Sequence, residues 1–357
     1  MAPIIKELQK QQHRVRSVVC FTGQHREMLD GISELFGLQP DYDLKVMRPN
    51  QSLSEVTARL LTALDAVFDK VRPHWVLAQG DTTTVMAAAM VAYYHGVSFG
   101  HVEAGLRTGD KRRPFPEEIN RRLVDVMADA YFAPTQRSQQ ALLDEGVRAE
   151  DICVTGNTVI DAVLDIANRQ YDWSKSPLAS IPKDRKLVLI TAHRRESFGE
   201  PFRELCGAIR DLALKFISEG VHFVYPVHLN PNVREPVNEI LAGLPNVSLI
   251  QPLDYLSFVQ LMKQSVLILT DSGGVQEEAP SFRVPVLVMR DTTERPEGVE
   301  AGVVRLVGTD RSRIVSEAIR LISDPAARTA MTTARNPYGD GKAAERIVSA
   351  LLEKKRT

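Results

Sequence analysis

The sequence alternates between short apolar runs rich in β-branched residues and longer amphipathic stretches, and this alternation constrains the fold more than any other feature. In one longer stretch the apolar residues Leu53, Val56, Leu60, Leu64 and Val67 recur at spacings of three and four, the period of a helix with one buried face. Strands that alternate with helices favour the α/β class, with doubly wound, Rossmann-like parallel sheets covered by helices on both faces. The predicted strands are 15–21, 75–78, 97–101, 187–191, 222–227, 266–270 and 284–289.

A chain of 357 residues is long enough for two such domains. The stretch 171–184 holds two prolines among charged residues and is expected to be irregular, so the seam is placed near it. We predict an N-terminal Rossmann-like domain over 1–157, a C-terminal Rossmann-like domain over 158–340, and a cleft between them. Ligand groups gather at the carboxyl ends of strands in doubly wound domains, so the loops after the strands are the candidate sites.

The overall charge and the cysteine content exclude several classes of protein. The formal net charge is -1, so nothing global favours a nucleic acid or an anionic membrane as a partner. No stretch approaches the ~18 apolar residues of a membrane span, and the N-terminus lacks the pattern of a signal peptide. The three cysteines, Cys20, Cys153 and Cys206, form no Cys-x-x-Cys pair, which argues against a disulfide framework or zinc site and favours the cytoplasm.

Three acids of the first domain lie where a doubly wound sheet collects catalytic groups. Asp81 and Glu103 each come just after a predicted strand, and Glu117 opens a helix. Each has an ordinary explanation: Asp81 as a helix cap, Glu103 as a surface partner of Arg107, and Glu117 as a partner of the helix dipole. Their convergence on one edge of the sheet favours acid–base chemistry over three separate structural roles.

Loops after three strands of the second domain carry groups suited to a phosphorylated ligand. The segment His193-Arg194-Arg195 can clamp an anion, although a solvated charged loop would read the same way. The turn Ser272-Gly273-Gly274 opens a helix, lets the backbone approach a phosphate, and is followed by Glu278, which can reach a ribose. The loop 290–297 holds two arginines that suit a diphosphate, or is an ordinary crossover loop.

Taken together, these segments resemble the non-hydrolysing UDP-N-acetylglucosamine 2-epimerase family. The resemblance covers nearly the whole chain, and so many long motifs in one order make a chance match improbable. Further matching segments are Gln24 with 25–29, Gly156-Asn157-Thr158, Pro226-Val227-His228-Leu229-Asn230-Pro231 and Asn336-Pro337-Tyr338-Gly339-Asp340-Gly341.

The resemblance implies an architecture, an activity and partners. The architecture is similar to that of two-domain nucleotide-sugar glycosyltransferases, and a C-terminal helix over 341–357 is implied to pack back onto the first domain. The activity is the interconversion of UDP-N-acetylglucosamine and UDP-N-acetylmannosamine by a homodimer, supplying N-acetylmannosamine units for cell-surface polysaccharide. No metal or nicotinamide cofactor is implied, and no Gly-x-Gly-x-x-Gly fingerprint follows any predicted strand.

The family's chemistry gives the three acids of the first domain a catalytic role. UDP is eliminated across C1–C2 of the sugar to give 2-acetamidoglucal, and it adds back after protonation of the other face. This route needs a base, an acid on the opposite face, and stabilisation of the departing diphosphate. The roles implied by resemblance are acid–base groups for Asp81, Glu103 and Glu117, diphosphate partners for His193 and Arg295, a phosphate cradle for Ser272, Gly273 and Gly274, a ribose contact for Glu278, and uracil contacts for Phe258 and the backbone of Leu253.

Some family members bind a second UDP-N-acetylglucosamine as an activator. The matching positions are Gln24, Arg59, Arg194 and His228, and Glu27 stands where certain members carry glutamine. These five residues are the candidate allosteric set.

Four alternative functions stay open from the sequence. A hydrolysing 2-epimerase would release UDP and free N-acetylmannosamine, and a related epimerase would act on a diacetamido uronic acid. A glycosyltransferase of this architecture would need an acceptor site and one base, not three clustered acids. A non-catalytic nucleotide-sugar sensor would bind without turnover.

The beginning of the chain departs from the family pattern. Residues Met1 to Leu8 already form an amphipathic helix pattern, whereas in the family a strand and a Gly-Thr-Arg-Pro-Glu turn precede that helix. The arginine of that turn and a following lysine serve the family's site. For this chain we therefore expect lower stability and little or no epimerase activity, and we expect that adding the strand and turn restores both.

Overall fold

A computed structural model describes residues 1–24 and 26–354, with only the backbone for 26–30. Within these ranges the chain divides into two compact units, Met1–Ala162 with Gly339–Thr357, and Val163–Tyr338. The first boundary falls inside a helix, Thr158–Ala167. No helix of the described ranges combines the length and apolar character needed to cross a bilayer.

The first unit contains a four-stranded parallel sheet in the order β3-β4-β5-β6 and a separate two-stranded parallel pair, β1-β2. The predicted strand 15–21 is wrong for most of its length, because only its last two residues pair, with Tyr42 and Asp43. The strands are β1 Cys20–Phe21, β2 Tyr42–Asp43, β3 Trp75–Gln79, β4 Ser98–Val102, β5 Ala130–Ala133 and β6 Ile152–Val154.

Helices cover both faces of the four-stranded sheet. On one face, a cluster centred on Leu60, Val91 and Phe99 joins the helices after residue 52 to the strands. On the other face, Ile4 of the first helix and Ile347 of the last share a cluster with strand residues. The helices are α1 Ala2–Gln9, α2 Arg26–Phe36, α3 Leu53–Val71, α4 Thr83–Tyr94, α5 Glu117–Met127, α6 Gln136–Asp144, α7 Thr158–Ala167 and α15 Ala343–Glu353.

The local sequence explains where α3 begins and which face it buries. Ser52 and Glu55 form a capping box, in which each side chain accepts from the backbone of the other. The predicted stripe through Leu60 and Leu64 is buried. Residues 355–357 of the predicted terminal helix lie outside the described residues.

The second unit is built on a six-stranded parallel sheet in the order β12-β11-β10-β7-β8-β9. The chain starts in the middle at β7, runs outward to β9, then returns to β10 on the other side, so the switch point lies between β7 and β10. The strands are β7 Lys186–Thr191, β8 Val221–Pro226, β9 Val247–Ile250, β10 Ser265–Thr270, β11 Val286–Val288 and β12 Val304–Leu306.

A large apolar core joins this sheet to its helices, with Phe202, Phe223 and Leu269 among its fully buried members. The helices are α8 Glu200–Lys215, α9 Pro231–Leu241, α10 Tyr255–Gln264, α11 Gly273–Glu278, α12 Pro296–Glu300, α13 Arg311–Ser323 and α14 Pro325–Thr332. Each unit is thus a parallel sheet between helices, which confirms the predicted doubly wound α/β class.

Candidate active site

A cavity of about 340 Å³ opens at the carboxyl ends of β7, β8 and β10, beside the switch point of the second unit. Its size lies within the range of small-molecule sites, and its position is where doubly wound sheets bind nucleotides. The lining residues are Thr191, His193, Pro226, His228, Pro252, Leu253, Tyr255, Phe258, Ser272, Gly274, Val275 and Glu278.

The turn after β10 brings the predicted phosphate cradle to this cavity. Ser272 ends the extended segment and caps α11, and its backbone N–H donates to Thr270 Oγ1 at 2.9 Å. A side chain placed at Gly273 would lie 3.9 Å from Arg194 Nη2 and from Glu294 Oε2. The turn therefore lies close to a guanidinium of the neighbouring loop and equally close to the carboxylate of Glu294.

Asp271, the residue before this turn, fixes the predicted anion clamp. Its fully buried carboxylate accepts the backbone N–H groups of His193 at 2.6 Å and Arg194 at 2.7 Å through Oδ2. Asp271 was part of a motif in the sequence, but its role was missed because its partners are 78 and 77 residues away.

His193 is held neutral by its surroundings. Its ring stacks on His228, with centroids 5.3 Å apart and planes inclined by 9°. Burial lowers the pKa of His193, and His228 and Arg194 lower it further, while Asp271 opposes them. A neutral imidazole can donate one hydrogen bond to an incoming anion, and it can take up a proton when the anion binds.

Glu278 lies at the other end of the cavity, at the last position of α11. Its side chain is buried, and Tyr255 Oη donates to its Oε1 at 3.0 Å. Burial raises the pKa of Glu278 to about 7, the Tyr255 hydrogen bond opposes this, and Glu277 adds to it. Tyr255 was not singled out in the sequence, because nothing local marks its contact with Glu278.

The predicted Arg295 is not among the described residues that line this cavity. Its Nε pairs with Glu277, and its carbonyl accepts from Tyr338 Oη at 3.0 Å. A second arginine of the same loop, Arg290, is buried and pairs with Glu196 at 2.6 Å. Both arginines of this loop therefore pair with carboxylates of the same unit.

In the first unit the predicted acids meet the carboxyl edge of the sheet. Asp81 is not the cap of α4, since Thr82 occupies that position. Its carboxylate pairs instead with Arg121 of α5, and Asn120 Nδ2 donates to its carbonyl at 3.0 Å.

Glu103 stands at the end of β4 with a φ of 68°, in the left-handed region that residues other than glycine rarely adopt. Gln79 Nε2 and Asn157 Nδ2 each donate to one of its carboxylate oxygens at 3.3 Å. The expected alternative pairing with Arg107 does not occur, because Arg107 binds Asp125 and Glu145.

Glu117 is the first residue of α5 and is half-buried. The next residue, Glu118, is fully buried and accepts the backbone N–H groups of Thr108 at 3.1 Å and Gly109 at 3.2 Å. Glu118 therefore orders the loop before α5, and Glu117 lies beside it at the start of the helix.

The candidate allosteric residues are placed as follows. Gln24 Oε1 accepts from the Thr84 hydroxyl at 2.6 Å, and Arg59 is half-buried on α3. Arg194 and His228 lie beside His193 in the second unit. The side chain of Glu27 lies outside the described residues. Among the residues that the structure describes, no group of three or more His, Cys, Asp or Glu side chains can hold a metal ion.

The chain has doubly wound units, a nucleotide-sized cavity at a switch point, and acids at strand ends. These features define an enzyme of the α/β class that binds a nucleotide ligand. The family model for UDP-N-acetylglucosamine 2-epimerase matches residues 6–352. The chain belongs to this family of isomerases, as its motifs predicted.

Individual relatives agree with this assignment. The UDP-N-acetylglucosamine 2-epimerase of Escherichia coli strain K12 is 53% identical over 357 residues, covering 98% of this chain and 94% of that protein. The enzyme of Bacillus subtilis strain 168 is 49% identical over 352 residues, covering 99% and 91%. The crystal structure of a UDP-GlcNAc 2-epimerase from Neisseria meningitidis bound to UDP-GlcNAc is 46% identical, covers 99% of this chain and 96% of that chain, and has a TM-score of 0.87.

Proposed function

We propose that the protein interconverts UDP-N-acetylglucosamine and UDP-N-acetylmannosamine without releasing free sugar. The observation that carries the proposal is the cavity of the second unit, which gathers His193, Leu253, Phe258, Ser272 and Glu278 around one space. Chemically distinct groups in this arrangement suit the base, ribose and phosphates of UDP. The relative from Neisseria meningitidis is described as bound to UDP-GlcNAc, which supports the same ligand here.

Each part of UDP has a matching surface in this proposal. The uracil lies against Phe258 and Leu253, because an aromatic ring and an apolar wall favour a planar base. Glu278 accepts from the ribose hydroxyls once its carboxyl is ionised. The diphosphate lies over the turn at Ser272, where His193 donates to it and Arg295 contributes positive charge.

The reaction proceeds by elimination and re-addition. A carboxylate removes the proton from C2, the electron pair forms the C1–C2 double bond, and the C1–O bond breaks with its electrons going to the β-phosphate of UDP. A carboxylic acid then protonates C2 from the opposite face while the UDP oxygen forms a new bond to C1. The atoms of the nucleotide sugar are conserved, and only the configuration at C2 changes.

Asp81, Glu103 and Glu117 are the proposed acid–base groups. Glu103 accepts two amide hydrogen bonds and Asp81 pairs with a guanidinium, so both side chains are held in defined positions. Glu117 is held at the start of α5. Proton transfer by such positioned groups contributes about 10²–10⁴-fold to a rate.

The proposal is tested by incubating the protein with UDP-N-acetylglucosamine in deuterated water and recording proton NMR spectra. Solvent deuterium should appear at C2 in both epimers, because the intermediate has no C2 hydrogen. Epimers that keep their original C2 hydrogen would rule out the elimination route. Accumulation of free N-acetylmannosamine would show a hydrolysing enzyme instead.

We also propose that the protein is a homodimer joined through the outer face of α5. Ile119, Leu123 and Val126 are 39%, 42% and 84% exposed and form an apolar stripe at helical spacing. Leu123→Glu should convert dimer to monomer in sedimentation equilibrium with the fold retained. A wild-type monomer at micromolar concentration would contradict the proposal.

A regulatory role for the second unit is proposed on the side of the cavity where His228 and Arg194 lie. Binding of a second nucleotide sugar there would act on His193 through the stacked ring of His228. Rates should then depend sigmoidally on UDP-N-acetylglucosamine and become hyperbolic in His228→Ala. A hyperbolic wild type would remove this role.

We place the protein in the cytoplasm, where nucleotide sugars are available to a reduced enzyme. Cys20, Cys153 and Cys206 are all free thiols, and Cys206 is buried. Unpaired cysteines are typical of reducing compartments. Fractionation of expressing cells, with the protein found outside the cytoplasmic fraction, would contradict this.

A further inference from the structure

His101 is a buried, titratable residue that the proposed chemistry does not use. It lies on β4, is 0% exposed, and has an acceptor at each ring nitrogen. Nδ1 is 2.5 Å from Asp125 Oδ1, and Nε2 is 2.8 Å from the carbonyl oxygen of Gly80. A carbonyl oxygen and a carboxylate oxygen both accept, so the imidazole bridges Gly80 and Asp125 through its two ring nitrogens.

Asp125 supports this assignment from the other side. Burial acts to raise its pKa, but the charges and hydrogen bonds of His101 and Arg107 outweigh burial and hold the pKa below its ordinary value. Arg107 Nη2 lies 2.7 Å from Asp125 Oδ2 and 2.7 Å from Glu145 Oε2. His101 and Arg107 thus each contact one oxygen of Asp125, and Arg107 also pairs with Glu145, so the buried carboxylate of Asp125 is compensated.

The pair connects two elements that carry the proposed acid–base groups. Gly80, whose carbonyl it holds, immediately precedes Asp81 and has a φ of +85°. His101 itself lies two positions before Glu103. On the other element, Glu117, Arg121 and Asp125 follow one another at intervals of four along α5, so they share one face of the helix.

Two members of that face contact the sheet edge. Arg121 pairs with Asp81, and Asp125 pairs with His101. The position of Glu117 relative to Asp81 and Glu103 is thus set by two ionic contacts one helical turn apart. Removing either contact would let α5 turn or slide against the strand ends.

We propose that the buried His101–Asp125 ion pair is the positioning element that fixes the Gly80–Asp81 turn and α5 together, and so sets the geometry of the three acids. The inference rests on the proposed function, since it concerns the placement of groups that the epimerisation would use. His101 contacts no substrate in this proposal and acts through Gly80 and Asp125.

Variants at Asp125 separate hydrogen bonding from charge. In Asp125→Asn, the amide nitrogen can donate to Nδ1 of a neutral ring and the amide oxygen can accept from Arg107, so every hydrogen bond survives. We expect deuterium incorporation at C2 within about 3-fold of wild type, because the bridge between Gly80 and α5 is kept. The charged and titratable groups that face this pair from neighbouring elements are Arg107, Glu145 and Tyr131, and none of them is altered.

Variants that remove the contact should have low activity at every pH. His101→Asn and Asp125→Ala should slow deuterium incorporation by about 100-fold, the usual cost of a misplacement near 1 Å, with KM changed by less than about 2-fold. UDP affinity measured by calorimetry should be unchanged, because the proposed UDP cavity belongs to the other unit. The matched control is His95→Asn, which breaks a histidine–aspartate pair of the same unit, formed with Asp65 at 2.7 Å.

One measurement does not depend on activity. A crystal structure of His101→Asn should show Asp81 displaced relative to Glu103, with no such displacement in His95→Asn.

The outcomes separate the two proposals. No deuterium exchange in wild type would defeat the proposed function, and the crystal structures would then decide the inference alone. An undisplaced Asp81, or wild-type turnover in a folded His101→Asn, would overturn the inference. If His101→Asn does not fold, Asp125→Asn and Asp125→Ala decide it, and equal rates in these two variants would overturn it.

Discussion

The imidazole rings of His193 and His228 lie nearly parallel, with planes 9° apart and centroids separated by 5.3 Å. Two cationic rings at this distance would repel each other, so the stack favours neutral His193, in agreement with the direction of its pKa. His193 therefore offers a neutral ring to a ligand that brings its own negative charge. Binding of an anion beside His193 should draw a proton onto the ring.

His193→Ala is expected to weaken UDP binding by about 10-fold or more, since a hydrogen bond to a charged group contributes ~1.5–3 kcal/mol. Isothermal calorimetry in buffers of different ionisation enthalpy should also show that proton uptake near pH 7 is lost in the variant. His222→Ala in the same unit is the control, because His222 bonds Ser248 and lies outside the cavity lining among the described residues. Equal UDP affinities for His193→Ala and wild type would remove His193 from the diphosphate site.

The Arg295→Ala substitution should also weaken the binding of UDP, although the guanidinium of Arg295 pairs with Glu277 in the structure. The loss is expected to be about 10-fold, from one charged contact with the diphosphate. Arg203→Ala provides a matched control, because Arg203 pairs with Glu239 at an exposed position of the same unit. If both variants bind UDP like wild type, Arg295 serves only to anchor its loop.

The three proposed acids should each be needed for turnover. Asp81→Asn, Glu103→Gln and Glu117→Gln are nearly isosteric, and each should lower the rate of C2 deuterium incorporation by about 10²-fold or more. UDP affinity should be retained. Glu150→Gln, at a position 71% exposed, is the control for loss of a surface charge. Near-normal rates in any one variant would exclude that residue from proton transfer.

The Glu278→Gln substitution should stabilise the fold and at the same time weaken binding of the ligand. The folded pKa is about 7 and the ordinary value is 4.5, so the folded state holds a proton that the unfolded state releases. The free energy of unfolding therefore falls as pH rises from about 4.5 to about 7, and stays lower above that. Removing this group should raise the free energy of unfolding by up to about 3 kcal/mol at pH 8 and by little near pH 4.

Urea denaturation of the variant and wild type at the two pH values measures this difference. UDP affinity should fall in the same variant, because a glutamine offers the ribose a weaker acceptor than a carboxylate. An equal stability change at both pH values would show that titration of Glu278 is not the cause.

The sequence predicted the strands that end at the candidate site, because their apolar runs are local and long. It did not predict how the loops are held. Asp271 acts on residues more than seventy positions earlier, and His101 meets Asp125 across 24 residues. Such contacts depend on which strands become neighbours, and a period of two or 3.6 carries no information on that.

The prediction of a strand over 15–21 was wrong for a related reason. Its residues have the composition of a strand, but only Cys20 and Phe21 find a partner strand. Propensity describes how well a residue fits a pleated surface, while pairing requires a neighbour with free N–H and C=O groups. Glu103 shows the same limit at a single residue, since nothing in the sequence marks its positive φ.

The common face of Glu117, Arg121 and Asp125 makes α5 sensitive to its length as well as to its composition. One residue inserted between Glu117 and Asp125 would rotate the two ends by about 100° relative to each other, because a helix has 3.6 residues per turn. Side chains of α5 outside this face and outside the apolar stripe can therefore be exchanged, but a residue cannot be added or deleted there without uncoupling Glu117 from Asp125. In a library of single-residue insertions, active clones should be absent from this helix and present in the loop before α3.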